Sequence, residues 1–466
     1  MMIIRRRIHT DAFTWRAPTP IAIPQPRTAS LARKQIALKD NILLRTTPTT
    51  CSSATLGTFD SPYTATCATR LLNAGAHITG KTSMDEFGMG NANTHLPAGA
   101  PRVVNPFPGP GSTPSDDPRV AGGSSGGSAA VVASGQAFAA LGTDTGGSVR
   151  LPAAYCGIVG LKPGYGIVSR HGVVSYADSL DCVGVLARTV EDVREVFDVI
   201  SGPDARDATC ASVAARKRAH GYQDAARRRI RGLERDRLDG LRIGLPIETH
   251  LPAAQTPRHL SPLLTHLRSL GATLHPISIP SIPLSLPAYY VLACAEASST
   301  LARFGGGWYG DQAGERSEAR RRGFGGEVRK RVVAGTHALT ASAFDNSYLK
   351  ALHLRHTLRS DYNAIFRSPH PLHASPSPPH GIDLVLHSTA IRTAPLLDPP
   401  PTADTTNTYA QDILTVPASL AGLPCVSVPY GTSPDDGWPV GVSLTGQWGM
   451  EGLVLDVARV GVESFR

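Results

Sequence analysis

No C-x-x-C pair links any of the seven cysteines, which stand at positions 51, 67, 156, 182, 210, 294 and 425 of the 466-residue chain. That scatter matches no zinc spacing and gives no disulfide framework, so a reducing compartment is expected. The chain also lacks a run of eighteen apolar residues, so no membrane span is expected. Aromatic residues make up only 6% of it, and no aromatic stacking pattern of the kind nucleic-acid binding requires accompanies the arginine clusters. A histidine suited to general-base work is missing as well: His77, His95 and His171 lie outside any glycine-supported turn.

Acidic residues are outnumbered, 37 against 46 Lys and Arg, leaving a net charge of +9. Arg216, Lys217, Arg218, Arg227, Arg228, Arg229 and Arg231 crowd one segment, but Asp224, Glu234, Asp236 and Asp239 are interleaved with them. The segment reads as a solvated helical connection, with a tRNA-facing surface as the alternative. The basic runs 320–322 and 329–331 read the same way. The first 35 residues are rich in Arg and hydroxyl side chains and hold one acidic residue, Asp11. This is the composition of a mitochondrial presequence, or else of a disordered basic tail. Residues 1–30 are therefore expected to precede the fold. Residues 31–466 are expected to form a single domain with surface excursions near 107–119 and 368–380, both rich in proline.

The informative stretch is 121–152, AGGSSGGSAAVVASGQAFAALGTDTGGSVRLP, in which glycine-flanked Ser124 and Ser148 stand 24 residues apart. Flanking glycines let the backbone take positive φ and let main-chain N–H groups approach a substrate, as an exposed nucleophile with an oxyanion pocket requires. A serine hydroxyl needs a base within hydrogen-bond reach. Lys39, at the end of the apolar run Ile36-Ala37-Leu38, is the candidate, provided that burial lowers its pKa enough to leave the amine neutral. Alternating strand and helix signals place strands at 36–38 and 76–79, helices at 63–73 and 127–139, and a capped helix from about Thr189 after the apolar CVGVLAR.

Lys39 in IALKDNI, Ser124 in GGSSGG and Ser148 in DTGGSVR resemble the amidase signature family in order and context. The resemblance implies an α/β fold, with a mixed β-sheet sandwiched between layers of α-helices. It also implies a Ser-Ser-Lys triad: Ser148 as nucleophile, Lys39 as base, and Ser124, on a non-proline cis peptide, relaying the proton. The N–H groups of Thr145, Gly146, Gly147 and Ser148 are the expected oxyanion donors. The octapeptide 75–82, GAHITGKT, matches a phosphate-binding loop, but a strand is expected inside the motif where a loop should be. KTSMDEF at 81–87 instead supports the family resemblance.

Within that family, the segments 81–90, 289–310, 324–339 and 409–429 resemble the glutamine-hydrolysing A subunits of glutamyl-tRNA(Gln) amidotransferases, mitochondrial type. That resemblance implies glutamine as substrate, with Arg355 on its carboxylate, Asp412 on its ammonium and Tyr309 shaping the pocket. Ammonia would pass to the B subunit, assisted by a small third subunit, to convert Glu-tRNA(Gln) to Gln-tRNA(Gln) in the mitochondrial matrix. No metal or cofactor is expected in this chain; ATP and Mg would belong to the partner. The rival readings are a stand-alone amidase for small or fatty amides and a non-catalytic basic scaffold subunit.

Overall fold

The computed structural model describes residues 12–108, 118–251, 260–304, 316–373, 375, 377–398 and 407–465. Eleven strands in these residues join one mixed sheet. In chain order they are β1 (Phe13–Ile21), β2 (Gln35–Lys39), β3 (His77–Thr82), β4 (Ala139–Asp144), β5 (Val159–Lys162), β6 (Cys182–Ala187), β7 (Arg242–Pro246), β8 (Thr273–Ile277), β9 (Leu384–Ser388), β10 (Cys425–Thr432) and β11 (Pro439–Gly446). Across the sheet the order is β1-β3-β2-β4-β6-β5-β10-β11-β9-β7-β8. β3, β2 and β4 run parallel, as do β9, β7 and β8, while β6, β5, β10 and β11 pair antiparallel between these two groups.

Side chains alternate across the sheet and divide the core in two. Ala37, Ala140 and Leu186 face a cluster that includes Ala129 to Val132 of helix Gly126–Ala133 and Ala153 of helix Arg150–Cys156. Their neighbours Ile36, Leu38, Leu141 and Val185 face the opposite cluster, which includes Leu71, Val190 and Val193. Helices therefore cover both faces, as the sequence implied. Thr189 caps helix Val190–Ile200 by accepting from Asp192 N–H, and all seven cysteines carry free thiols.

Two expectations change. Residues 13–21, read as leader or tail, form β1 at the sheet edge, antiparallel to β3. Prolines 18 and 20 are tolerated there because an edge strand leaves one side of its backbone unpaired, so the fold starts well before residue 30. Only residues 1–11 of the expected leader lie outside the described residues. The helix expected over 127–139 stops at Ala133, because Ala139–Asp144 is claimed by β2 on one side and β6 on the other. The phosphate-loop match lies in β3, where Lys81 is buried, donates to Thr49 Oγ1 at 2.9 Å and pairs with Asp40 at 3.7 Å. The excursion near 107–119 falls largely outside the described residues.

The arginine-rich segment is a helix, Val213–Arg229, yet several of its cations are tied inward. Arg216 donates to the carbonyls of Gly166, Ile167, Gly202 and Ala211, and Arg227 shares Asp456 with Arg194.

Because Ala12 and, within β1, Phe13 and Ala17 are buried and β1 covers the edge of β3, a chain lacking residues 1–21 should lose about 2–4 kcal/mol of stability in urea unfolding. Unchanged stability would mean that β1 contributes nothing to the fold.

Candidate active site

Parallel strands deliver their following loops to the same edge of a sheet. Here β3, β2 and β4 bring Asp85, Lys39 and the loop 144–148 together. Lys39 is wholly buried, and its Nζ donates to Ser124 Oγ at 2.8 Å and to the Thr143 carbonyl at 3.1 Å. Loss of hydration favours the uncharged amine and lowers its pKa from 10.5 to about 7, against the opposing pull of Asp85, Asp144 and Asp181.

The Gly123–Ser124 peptide is cis. Gly123 is required by crowding: a Cβ there would fall 2.2 Å from Asp85 Oδ2 and 2.7 Å from the nitrogens of Ala92 and Asn93. The Asp85 carboxylate accepts from the N–H groups of Asn93, Thr94 and His95 at 2.9–3.0 Å, and Asp85 N–H donates to the Ser124 carbonyl. The two serine loops are joined directly, since Ser125 N–H donates to the Ser148 carbonyl at 3.1 Å.

The loop bearing Ser148 is clamped from several sides. Asp144 accepts from Val149 N–H at 3.1 Å and from two nitrogens of Arg150, each at 2.9 Å. Burial alone would raise the pKa of this carboxyl, but the paired guanidinium holds it below the usual range. Arg150 also donates to the Thr415 carbonyl and Ser419 Oγ, both at 2.8 Å. Thr415 Oγ1 donates to the Gly146 carbonyl at 2.6 Å, and Thr145 Oγ1 to Asp181 at 2.6 Å. Among the described residues, no acceptor meets the N–H groups of Thr145, Gly146, Gly147 and Ser148. Buried N–H groups are seldom left unpaired, so this loop offers donors to a ligand.

Asp412 is buried beside this loop through Thr415, accepting from Tyr290 at 2.9 Å and Asn91 at 3.2 Å. Burial pushes its carboxyl up to about 6, opposed by the Tyr290 hydrogen bond and the charge of Arg331. Arg331, which lies 5.2 Å over the Tyr290 ring, donates to Glu327 and to the Tyr176 hydroxyl. Arg355 is also buried, donating to Leu420 O, Ser179 Oγ and Ser179 O. Three of its five N–H donors are thus committed to the protein and two remain. Tyr309 lies outside the described residues. Cavities of about 140 and 290 Å³ lie elsewhere, lined by none of Lys39, Ser124 and Ser148.

The family profile described as Amidase matches residues 28–455. The chain belongs to the amidase family. Among similar amidases, the mitochondrial glutamyl-tRNA(Gln) amidotransferase A subunit of Mycosarcoma maydis is 47% identical over 447 residues, covering 91% of this chain and 82% of that one. The glutamyl-tRNA(Gln) amidotransferase A subunit of Halobacterium salinarum is 42% identical over 437 residues, covering 91% and 94%. The crystal structure of the glutamyl-tRNA(Gln) amidotransferase A subunit from Thermotoga maritima superposes with a TM-score of 0.74 at 32% identity, covering 97% and 87%. This amidase is an enzyme of that family's α/β fold.

The residues that frame the amidase site, Asp85, Asp144, Arg150, Asp181, Thr415 and Tyr290, were not singled out by the sequence reading. Asp144 and Arg150 were the most accessible of these, being opposite charges on either side of Ser148 in DTGGSVR. Replacing Asp144 by Ala leaves the Arg150 guanidinium buried without its carboxylate. The amidase carrying Asp144→Ala should be about 3–5 kcal/mol less stable in denaturant unfolding, and a loss below about 1 kcal/mol would contradict a closed, dry pair.

Proposed function

We propose that this chain is the glutaminase subunit of a mitochondrial-type glutamyl-tRNA(Gln) amidotransferase. The observation that carries the chemistry is the 2.8 Å hydrogen bond between the buried, neutral-leaning amine of Lys39 and Ser124, whose loop is bonded to that of Ser148. The relatives named as A subunits, which span most of the chain, support the assignment.

In this reading Ser148 Oγ attacks the side-chain carbonyl of glutamine as its proton passes through Ser124 to Lys39. The oxyanion is stabilised by the unpaired N–H groups of Thr145 to Ser148, where losing one donor typically costs about 10²–10³ in rate. Protonated Lys39 returns the proton, by way of Ser124, to the departing nitrogen. Ammonia leaves and a Ser148 acyl ester remains, which water then hydrolyses with the same base. Free glutamine carries both charges of an amino acid, and each needs a partner on desolvation. The ionised Asp412 takes the ammonium, and the two uncommitted donors of Arg355 take the carboxylate.

Ammonia passes to the B subunit, where ATP and Mg serve the activation of Glu-tRNA(Gln), with a small third subunit completing the complex. The basic residues 1–11 and the mitochondrial names of the fungal relatives support a location in the mitochondrial matrix.

Ammonia release from glutamine, measured with the chain assembled with its partners, tests the reading. Ser148→Ala should abolish it, and Lys39→Met and Ser124→Ala should each lower kcat by about 10²–10⁴. Retention of wild-type turnover by any of the three would exclude the triad. Asp412 binds ammonium only as a carboxylate, so KM for glutamine should rise as pH falls through about 6. Asp412→Asn should raise KM by at least about tenfold at neutral pH, and an unchanged KM would remove Asp412 from the substrate site.

A further inference from the structure

Helix Ile282–Leu301 turns two consecutive tyrosines toward the site, and only the second has a polar partner. Tyr290 donates to Asp412. Tyr289 is just 4% exposed, and among the described residues its hydroxyl meets no hydrogen-bond partner. Its ring lies directly on the loop of unpaired N–H groups: a Cβ built on Gly146 would fall 2.5 Å from Tyr289 Cζ and 2.6 Å from its hydroxyl oxygen. The Tyr289 hydroxyl oxygen is not among the fully enclosed, unpaired polar atoms of the described residues, so this atom keeps access to the space beside the loop and is open to a ligand. Tyr289 thus lies against the loop that carries Ser148 and against Tyr290, whose ring centroid is 5.1 Å from its own and which serves Asp412.

We propose that the Tyr289 hydroxyl hydrogen-bonds the side-chain carboxamide of bound glutamine. The assignment rests on the glutaminase reading of this site. A phenol both donates and accepts, matching a carboxamide, which offers N–H donors and a carbonyl acceptor in one plane. A site built to hydrogen-bond a carboxamide discriminates against side chains that lack it, because the desolvated hydroxyl is then left without its partner. Tyr289 is thereby a substrate-binding residue at the acyl end, distinct from the pair that reads the two charges of the amino acid.

Tyr289→Phe removes the hydroxyl alone and tests this in the full chain assembled with its partner subunits. In the free protein the hydroxyl bonds to nothing described, so the melting temperature without glutamine should be unchanged or higher. The Kd for glutamine, measured by calorimetry in a Ser148→Ala background so that nothing turns over, should weaken about three- to tenfold. The kcat/KM of the Ser148-bearing variant should fall by a similar factor. Kd and kcat/KM within about twofold of the parent would overturn the proposal. So would a melting temperature lowered by more than about 3 °C, which would assign the hydroxyl to packing. Absence of ammonia release from glutamine by the parent itself would instead overturn the glutaminase reading, and this assignment with it.

Discussion

An amine stripped of water is the constraint on which the site depends. Lys39 lies at the end of a strand flanked on both sides by parallel neighbours, so its side chain emerges into protein and not into solvent. Its hold on the proton is weakened there, to a pKa of about 7, because desolvation outweighs the attraction of Asp85, Asp144 and Asp181. Each carboxylate has other work: Asp85 holds three N–H groups of the following loop, Asp144 is closed by Arg150, and Asp181 binds Thr145, Ser175 and the backbone at Tyr176 and Ala177. Their charge is absorbed by these partners. The amine keeps a pKa near neutrality, where it can exist as a base.

The same carboxylates fix the geometry. Asp85 presses on Gly123 and so positions Ser124, while Asp144 and Asp181 hold the two ends of the turn that carries the candidate oxyanion donors. Thr415, whose carbonyl accepts from Arg150, donates its hydroxyl to the Gly146 carbonyl and so closes that turn. Electrostatic tuning and loop placement are thus one device, which is why a substitution at a framing carboxylate is expected to disturb stability and chemistry together. Preorganised donors of this kind are worth most in a dry site, since no reorganisation is then needed as charge develops.

Much of this was legible in the sequence because the chemistry leaves local marks. Glycine pairs around Ser124 and Ser148 and an apolar run before Lys39 are each visible within a few residues, and the strand signals at 36–38 and 76–79 correspond to β2 and β3. The strand Phe13–Ile21 was hidden because an edge strand tolerates proline and arginine and buries little, so its composition is that of a leader peptide. The short extent of helix Gly126–Ala133 was hidden because a run of small apolar residues suits a buried strand equally well. What a polar side chain meets is set by tertiary packing: the commitment of Arg355 to Ser179 and Leu420, and the placement of Tyr289 against Gly146, carry no local signal.

The central claim concerns the protonation of one amine, and the rate at which Ser148 is acylated reads it directly. Labelling of Ser148 by a fluorophosphonate, followed by mass spectrometry across about pH 5–10 in the assembled protein, should rise about tenfold per pH unit and level off above an apparent pKa of about 7. This profile should disappear in Lys39→Met. A rate independent of pH, or one still climbing about tenfold per unit at pH 10 with no levelling, as for a hydrated lysine, would contradict a neutral Lys39 as the base.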